Sequence, residues 1–506
     1  MADLPLTITQ HYHERTKYAP ETIASRGREL DFTEQPTPFK DYPLGASLSL
    51  KTYLESESRA SPSQWQRLSQ FLYCSYGITA VIPYPERPLY LRTAPSAGGL
   101  YPAEIYVIAG EGTMLPAGLY NYQAKTHSLL HFWDSHVWSN LEAACLWHPA
   151  LTQTRLAILV SAVFQRSAWR YEDRAYRRIF LDSGHLLGNL ELAASLYDFR
   201  VHLMGGFVDQ QLNQLLYLDP QQEGVIAAAA LADLLEADQN LPPTPTLLPS
   251  NQCLDYPALA EGDLLAYTHA ATAIESQELT YSSSLPSVSI EDKYNFPFCL
   301  KMPIQQKPIP WGADLEQLET AMLHRRSTRR YTGAGLSWQE LSDVLHFAYC
   351  PEQYHDQGLE ERPDYFDLSL IQTFVAVLDV TDLETGCYYY ALQAQELRQI
   401  RFKDFRREVH YLCLGQELGR DAAAVIFHTA DLQKAIASYG DRAYRYLHMD
   451  AGHLGQRLNL AAIHLKIGVS GIGGFFDDQV NEVLGIPEDE AVLYITTLGK
   501  PPPSQG

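Results

Sequence analysis

Positive charge is scarce in this chain. Its 506 residues carry 38 Lys and Arg against 60 Asp and Glu, a formal net charge of -22. Phosphate backbones require a cationic face, so no nucleic-acid partner is expected. The same argument disfavours an anionic membrane surface. No apolar run approaches the roughly 20 residues of a membrane span. The opening MADLPLTITQHYHERTKYAP has neither the basic start nor the apolar core of a signal peptide. The seven cysteines are odd in number and none is spaced as CxxC. That speaks against a disulfide frame or a zinc site and for reduced thiols in the cytoplasm. His11 and His13 flank Tyr12 with no ligand cluster nearby, and solvated histidines are expected there rather than a metal.

Apolar content of 46% and charged content of 19% are globular values, and the length allows two or three domains with real cores. The chain repeats itself. YEDRAYRRIFLDSGHLLGNLELAASLYDFRVHLMGGFVDQQLNQLLYL (171–218) aligns without gaps on YGDRAYRYLHMDAGHLGQRLNLAAIHLKIGVSGIGGFFDDQVNEVLGI (439–486), with nearly half the positions identical. The same offset pairs AGLYNY (117–122) with TGCYYY (385–390) and Pro95 with Pro363. This is a duplicated domain.

In each copy the GHL segment carries Leu and Ala at helical spacing, which predicts a buried helix. Strands are predicted at AEIYVIA, RLAILVSAV and GVIAAAALA, then at TFVAVLDV, AAAVIFH and AVLYITTL. The expected fold is α+β, one mostly antiparallel sheet per copy flanked by helices. The boundaries read as domain 1 over 1–238, a Pro/Ser-rich linker with a possible helix over 239–310, and domain 2 over 311–506.

The copies differ where chemistry is expected. LRTAPSAGGLYPAEIYVI (91–108) is a loop of small residues, which lets a flat or anionic group come close. Its counterpart carries Asp364, Tyr365, Phe366 and Asp367. The second copy opens with LHRRSTRRYTGAG, and alternation puts Arg325, Ser327 and Arg329 on one side of an extended segment. A guanidinium fork with a hydroxyl suits a phosphate monoester, and a solvated basic turn is the plainer reading. The corresponding region of the first copy has Glu55 and Glu57, which repel phosphate.

RRSTRRY, TAPSAGGLYPAEIYV, GHL…NL.LAA and GIGGFFDDQVNEVLGI, in that order, resemble the nitroreductase superfamily, and the SagB/ThcOx-type (azoline oxidase-like) dehydrogenases in particular. YHERTKYAP (12–20) resembles the start of that branch. The resemblance implies FMN held at a subunit interface, here between the two copies of an intramolecular pseudodimer that needs no second chain. Carried over residue by residue, it implies cofactor contacts from Pro95, Ser96, Ala97 and Gly98 of the first copy. From the second it implies Arg325, Ser327, Arg329, Gly473 and Gly474, with Lys500 reaching in from TLGKPPP. The mirror site is expected to be dead, repelled at Glu55 and Glu57 and blocked by Tyr365 and Phe366. There the pair Gly205-Gly206 is read as a tight turn.

The resemblance further implies a Lys-Tyr pair as the catalytic couple. Here it is Arg170-Tyr171 in the first copy and Ser438-Tyr439 in the second. Arg stays protonated, so Arg170 is expected to orient substrate and Tyr171 to act in proton transfer. His185 and His453 are read as core histidines. The implied activity is FMN-dependent oxidation of a peptide or small heterocyclic substrate, azoline to azole, with O2 as acceptor. An NAD(P)H-dependent nitro or quinone reductase and a non-catalytic scaffold are the competing readings.

Overall fold

Runs of Val, Ile and Ala build the centres of two sheets. The first copy supplies β1 (Ala46–Ser49), β2 (Ala103–Ala109), β3 (Gly118–Gln123), β4 (Ser128–Trp133), β5 (Leu156–Val163), β6 (Phe199–Met204) and β7 (Glu223–Asp233). The second supplies β8 (Lys301–Pro303), β9 (Gln372–Val377), β10 (Gly386–Ala391), β11 (Glu396–Arg401), β12 (Ala424–Asp431), β13 (Gly468–Ile472) and β14 (Glu490–Gly499). The strand orders are β1-β4-β3-β2-β5-β7-β6 and β8-β11-β10-β9-β12-β14-β13. One is the other with seven added, so the sequence repeat is a repeat of topology. Every pairing inside both sheets is antiparallel. This computed structural model describes residues 5–23, 29–54, 62–84, 87–236, 244–275, 279, 281, 291–304 and 307–503. Glu55 and Glu57 lie outside the described residues.

The two GHL segments lie inside 22-residue helices, Ala175–Leu196 and Ala443–His464. These helices pack against each other at the centre of the molecule. A methyl group on Gly184 would sit 2.1 Å from the Met449 carbonyl oxygen, and one on Gly452 2.3 Å from that of Leu181. The glycine of GHL is therefore where the two copies touch backbone to backbone.

DRAYR, identical in both copies, forms ion clusters across the same interface. Arg174 and Arg177 of the first copy hold Asp477 of the second at 2.9 and 2.7 Å. Arg442 and Arg445 of the second hold Asp209 of the first, both at 2.7 Å. All six residues are buried. A helix caps each cluster. In Ile8–Thr16, Thr16 accepts from Arg177 Nε and the His13 carbonyl from Arg177 Nη2. In Leu264–Ala271 and the residue after it, the His269 carbonyl and Thr272 do the same for Arg445. Tyr18 N–H donates to Asp477 and Ile274 N–H to Asp209.

The possible helix of the linker is thus the opening helix of the second copy, and β8 is its edge strand. The structural repeat reaches back into 239–310, and composition concealed it because this arm is short, polar and rich in proline. His13 also departs from expectation. It is buried, with Nδ1 3.1 Å from the Tyr444 hydroxyl, and burial pushes its pKa well below the usual histidine range. Among the described residues no helix is long and apolar enough to cross a membrane, and the seven cysteines are unpaired.

Candidate functional site

Between the copies lies a cleft of about 110 Å³, partly open to solvent, with walls from both. Pro95, Ser96, Ala97 and Gly98 of the first copy face Ser327, Arg329, Gly471 and Gly473 of the second. The structure therefore brings the small-residue loop and the cationic segment to one cavity.

The loop is tied down by Asp182, which sequence reasoning missed. Ser96 Oγ donates to Asp182 at 2.6 Å, and the Ala97 N–H lies 3.1 Å from both of its oxygens. Gly98 turns with φ +66°, and a methyl group there would be 2.9 Å from the Tyr171 hydroxyl. Only glycine meets both demands without strain. The other copy has the same device: Asp450 accepts from the Phe366 and Asp367 N–H groups at 2.9 and 2.8 Å. Burial pushes both carboxyls up to about 7 against these hydrogen bonds. Both copies keep the aspartate, so its loop-holding role left no asymmetry to read. Asp182→Ala and Asp450→Ala are both expected to destabilise the fold. Only Asp182→Ala should also loosen the Pro95–Gly98 wall of the cleft, about tenfold in amide exchange for the lost charged hydrogen bonds. Paired unfolding curves and hydrogen-exchange rates at Ala97 check this.

The cationic segment divides its duties. Arg325 is buried, and its Nε and Nη2 donate to the Thr93 and Arg92 carbonyls, just before the loop. Its Nη1 lies 3.5 Å from Ser327 Oγ, and burial pulls its pKa down to about 10. Arg326 points the other way, to Thr79. Arg329 lines the cleft, is exposed, and has no ion-pair partner among the described residues. Lys500 is not brought here. Its ammonium pairs with Glu340 at the start of helix Trp338–Tyr349, where a capping box already holds that carboxylate close.

Gly473 and Gly474 face Arg178. A methyl group on Gly473 would meet Arg178 Nη1 at 2.7 Å. The Arg178 guanidinium also lies over the Tyr171 ring, 3.8 Å from its centroid, with Arg170 at 5.6 Å from the same ring. Tyr171 ends helix Phe164–Tyr171, and its hydroxyl has no hydrogen-bond partner among the described residues. Its counterpart Tyr439 donates to Asp367 at 2.8 Å.

His185 is buried as expected, yet it also lines the cleft. A chain of polar groups fixes its tautomer. Asn189 Nδ2 donates to the Ser75 carbonyl, so Asn189 Oδ1 accepts from Gln456 Nε2 at 2.6 Å. Gln456 Oε1 then faces His185 Nδ1 at 3.0 Å, so that nitrogen carries the proton. His185 Nε2 is left to accept from the Tyr494 hydroxyl at 2.9 Å. His453 stacks on Tyr365, with ring centroids 4.2 Å apart.

The mirror cavity is filled. A methyl group on Gly205 would lie 2.4 Å from Phe366 and 2.6 Å from Tyr446. Gly205 N–H donates to the Thr246 carbonyl, and Leu248 packs on Gly206. Tyr446 donates to the Leu248 carbonyl at 2.9 Å. The stretch around Thr246–Leu248 thus closes the mirror cavity together with Phe366, and the bare turn at Gly205-Gly206 is what lets it in.

A nitroreductase family profile matches residues 66–232 and 322–500, one match per copy. The chain belongs to the nitroreductase family. A Methanocaldococcus jannaschii protein named for the nitroreductases is 31% identical over 182 residues, 36% of this chain and 91% of that one. The trifolitoxin-processing protein TfxF of Rhizobium leguminosarum bv. trifolii is 25% identical over 203 residues, 38% of this chain and 70% of that one. A nitroreductase-type protein from Anabaena variabilis, solved by crystallography at 1.80 Å, is 62% identical and covers 98% of this chain and 99% of its own, with a TM-score of 0.93. Such tandem architecture is therefore shared along the full length.

Proposed function

We propose that this cleft is a composite FMN site and that the chain is an FMN-dependent oxidoreductase acting on a peptide-derived heterocycle. One observation carries the reading: the bare loop of one copy and the Ser327/Arg329 wall of the other line a single cavity. The donor set suits the group. Ser327 and Arg329 would hold the phosphate, and Pro95–Gly98 with Gly473 leave room for a flat ring. Trifolitoxin-processing relatives favour peptide modification over free-living reductase chemistry.

When bound, FMN supplies the two-electron chemistry, and O2 is the acceptor we assign. The chain's residues do the rest. The Tyr171 hydroxyl, without a hydrogen-bond partner among the described residues and set against Gly98, would take or give a proton beside the cleft. Arg170, beside the same ring, would orient the substrate. The loop held by Asp182 fixes one wall, and Arg325 ties that wall to the other copy.

Flavin quantitation on protein reconstituted with FMN tests the reading. The expected result is one FMN per chain; two per chain would overturn the dead-half argument, and none would overturn the site. Stopped-flow mixing with NADH and NADPH separates the oxidase from the reductase. Slow or absent bleaching is expected.

A further inference from the structure

Almost every buried arginine in this chain has an acceptor. Arg67 pairs with Asp233, Arg166 with Glu104 and Arg457 with Glu191. Arg174, Arg177, Arg442 and Arg445 pair across the interface. Arg92 and Arg325 use main-chain carbonyls. Arg178 is the exception. It is 8% exposed, its Nε is buried without a partner, and no acceptor among the described residues bonds any of its nitrogens. It lines the cleft. The nearby carboxylate, Asp182, is occupied by Ser96 and Ala97.

A largely buried guanidinium without a carboxylate partner is costly, and a ligand that supplies one recovers that cost. The fold does not require the charge, since the same position of the second copy is Tyr446. The mismatch is visible in the repeat, YRRIF against YRYLH. Two contacts hold the guanidinium in place, the Tyr171 ring on one side and the bare Gly473 on the other. Arg170, exposed and without an ion pair among the described residues, lies beside the same ring. In a chain of net charge -22 this is a local cationic mouth, placed where the reactive tyrosine stands.

We infer that Arg178, with Arg170 beside it, is a specificity residue that binds a carboxylate of the substrate at the Tyr171 end of the cleft. The carboxylate belongs to a peptide, either its C-terminus or an acidic side chain. The inference rests on the proposed function only in placing the substrate at that end, and its test reads binding apart from flavin.

Three probes are titrated by calorimetry into FMN-loaded protein: hippurate, with a terminal carboxylate; hippuramide, with none; and N-benzoyl-aspartate α-amide, with a side-chain carboxylate. Hippurate or the aspartate probe is expected to bind about ten- to hundredfold more tightly than hippuramide, the range of charged hydrogen bonds. Whichever binds names the source. Arg178→Gln, which keeps the bulk, should erase that preference, and Arg178→Lys should keep part of it. FMN content is measured on each variant. Equal binding of hippuramide, no binding of any probe, or a preference that survives Arg178→Gln overturns the inference. So does a variant that loses FMN affinity with its carboxylate preference intact, which would make Arg178 a flavin contact. Failure of wild type to take up FMN would instead sink the proposed function, and the same titration on the flavin-free protein still tests Arg178.

Discussion

Replacing Asp477 by alanine is expected to cost the folded chain about 3–5 kcal/mol, because it strands two buried guanidiniums at once. Arg174 and Arg177 lose their carboxylate partner, and the Tyr18 N–H loses its acceptor. Burial works to raise the Asp477 carboxyl, but the two arginines prevail and hold it below the usual carboxylate range. Its native pKa is therefore depressed relative to the unfolded chain. The sign follows: the stability it contributes is present above the unfolded pKa and is lost as pH falls through the folded one. Urea unfolding of wild type and variant from neutral to acidic pH checks this. The gap between them should be widest near neutrality and should narrow on acidification. Asp209→Ala should do the same to Arg442 and Arg445. A loss under 1 kcal/mol in both would mean that the clusters are not what joins the copies.

Those clusters also explain what the sequence could and could not tell. DRAYR and GHL repeat in both copies because both do the same structural work, at the ion clusters and at the Gly184–Gly452 contact. Identity between the copies marked the interface. Difference marked the candidate site: the open loop against Tyr365 and Phe366, and Arg325, Ser327 and Arg329 against an acidic stretch. Arg178 against Tyr446 was the same kind of signal, hidden one position beyond an identical run. Asp182 escaped because its twin Asp450 performs the same task. Lys500 was assigned by position near the chain's end, and nothing local in sequence shows that Glu340 would take it. The helix expected in the linker is there, at Leu264–Ala271, but so short a helix, set among prolines and serines, has little periodicity to show that it belongs to the second copy. Its fit depends on main-chain hydrogen bonds to Asp173 and Asp209, partners far off in sequence.

Arg325→Ala is expected to weaken FMN binding about a hundredfold, against about tenfold for Arg329→Ala. The difference lies in what each guanidinium holds. Arg329 is exposed at the cleft wall, so its attraction for a phosphate is one charged hydrogen bond, screened by salt. Arg325 is buried and serves both walls. It stands beside Ser327 on its own copy, and its donations to the Arg92 and Thr93 carbonyls fix the strand end from which the loop Pro95–Gly98 leaves. Removing it takes a cation from beside Ser327 and costs the Thr93 and Arg92 carbonyls a donor, so the loop loses its position as well. Lysine should not restore it, because a single ammonium cannot span the two carbonyls and Ser327 as the planar fork does. Fluorescence-quenching titrations with FMN at low and high salt distinguish the two arginines. The Arg329 effect should shrink as salt rises, and the Arg325 effect should persist. If Arg325→Ala bound FMN as tightly as wild type, the two copies would not share the cofactor, and the composite site would have to be given up.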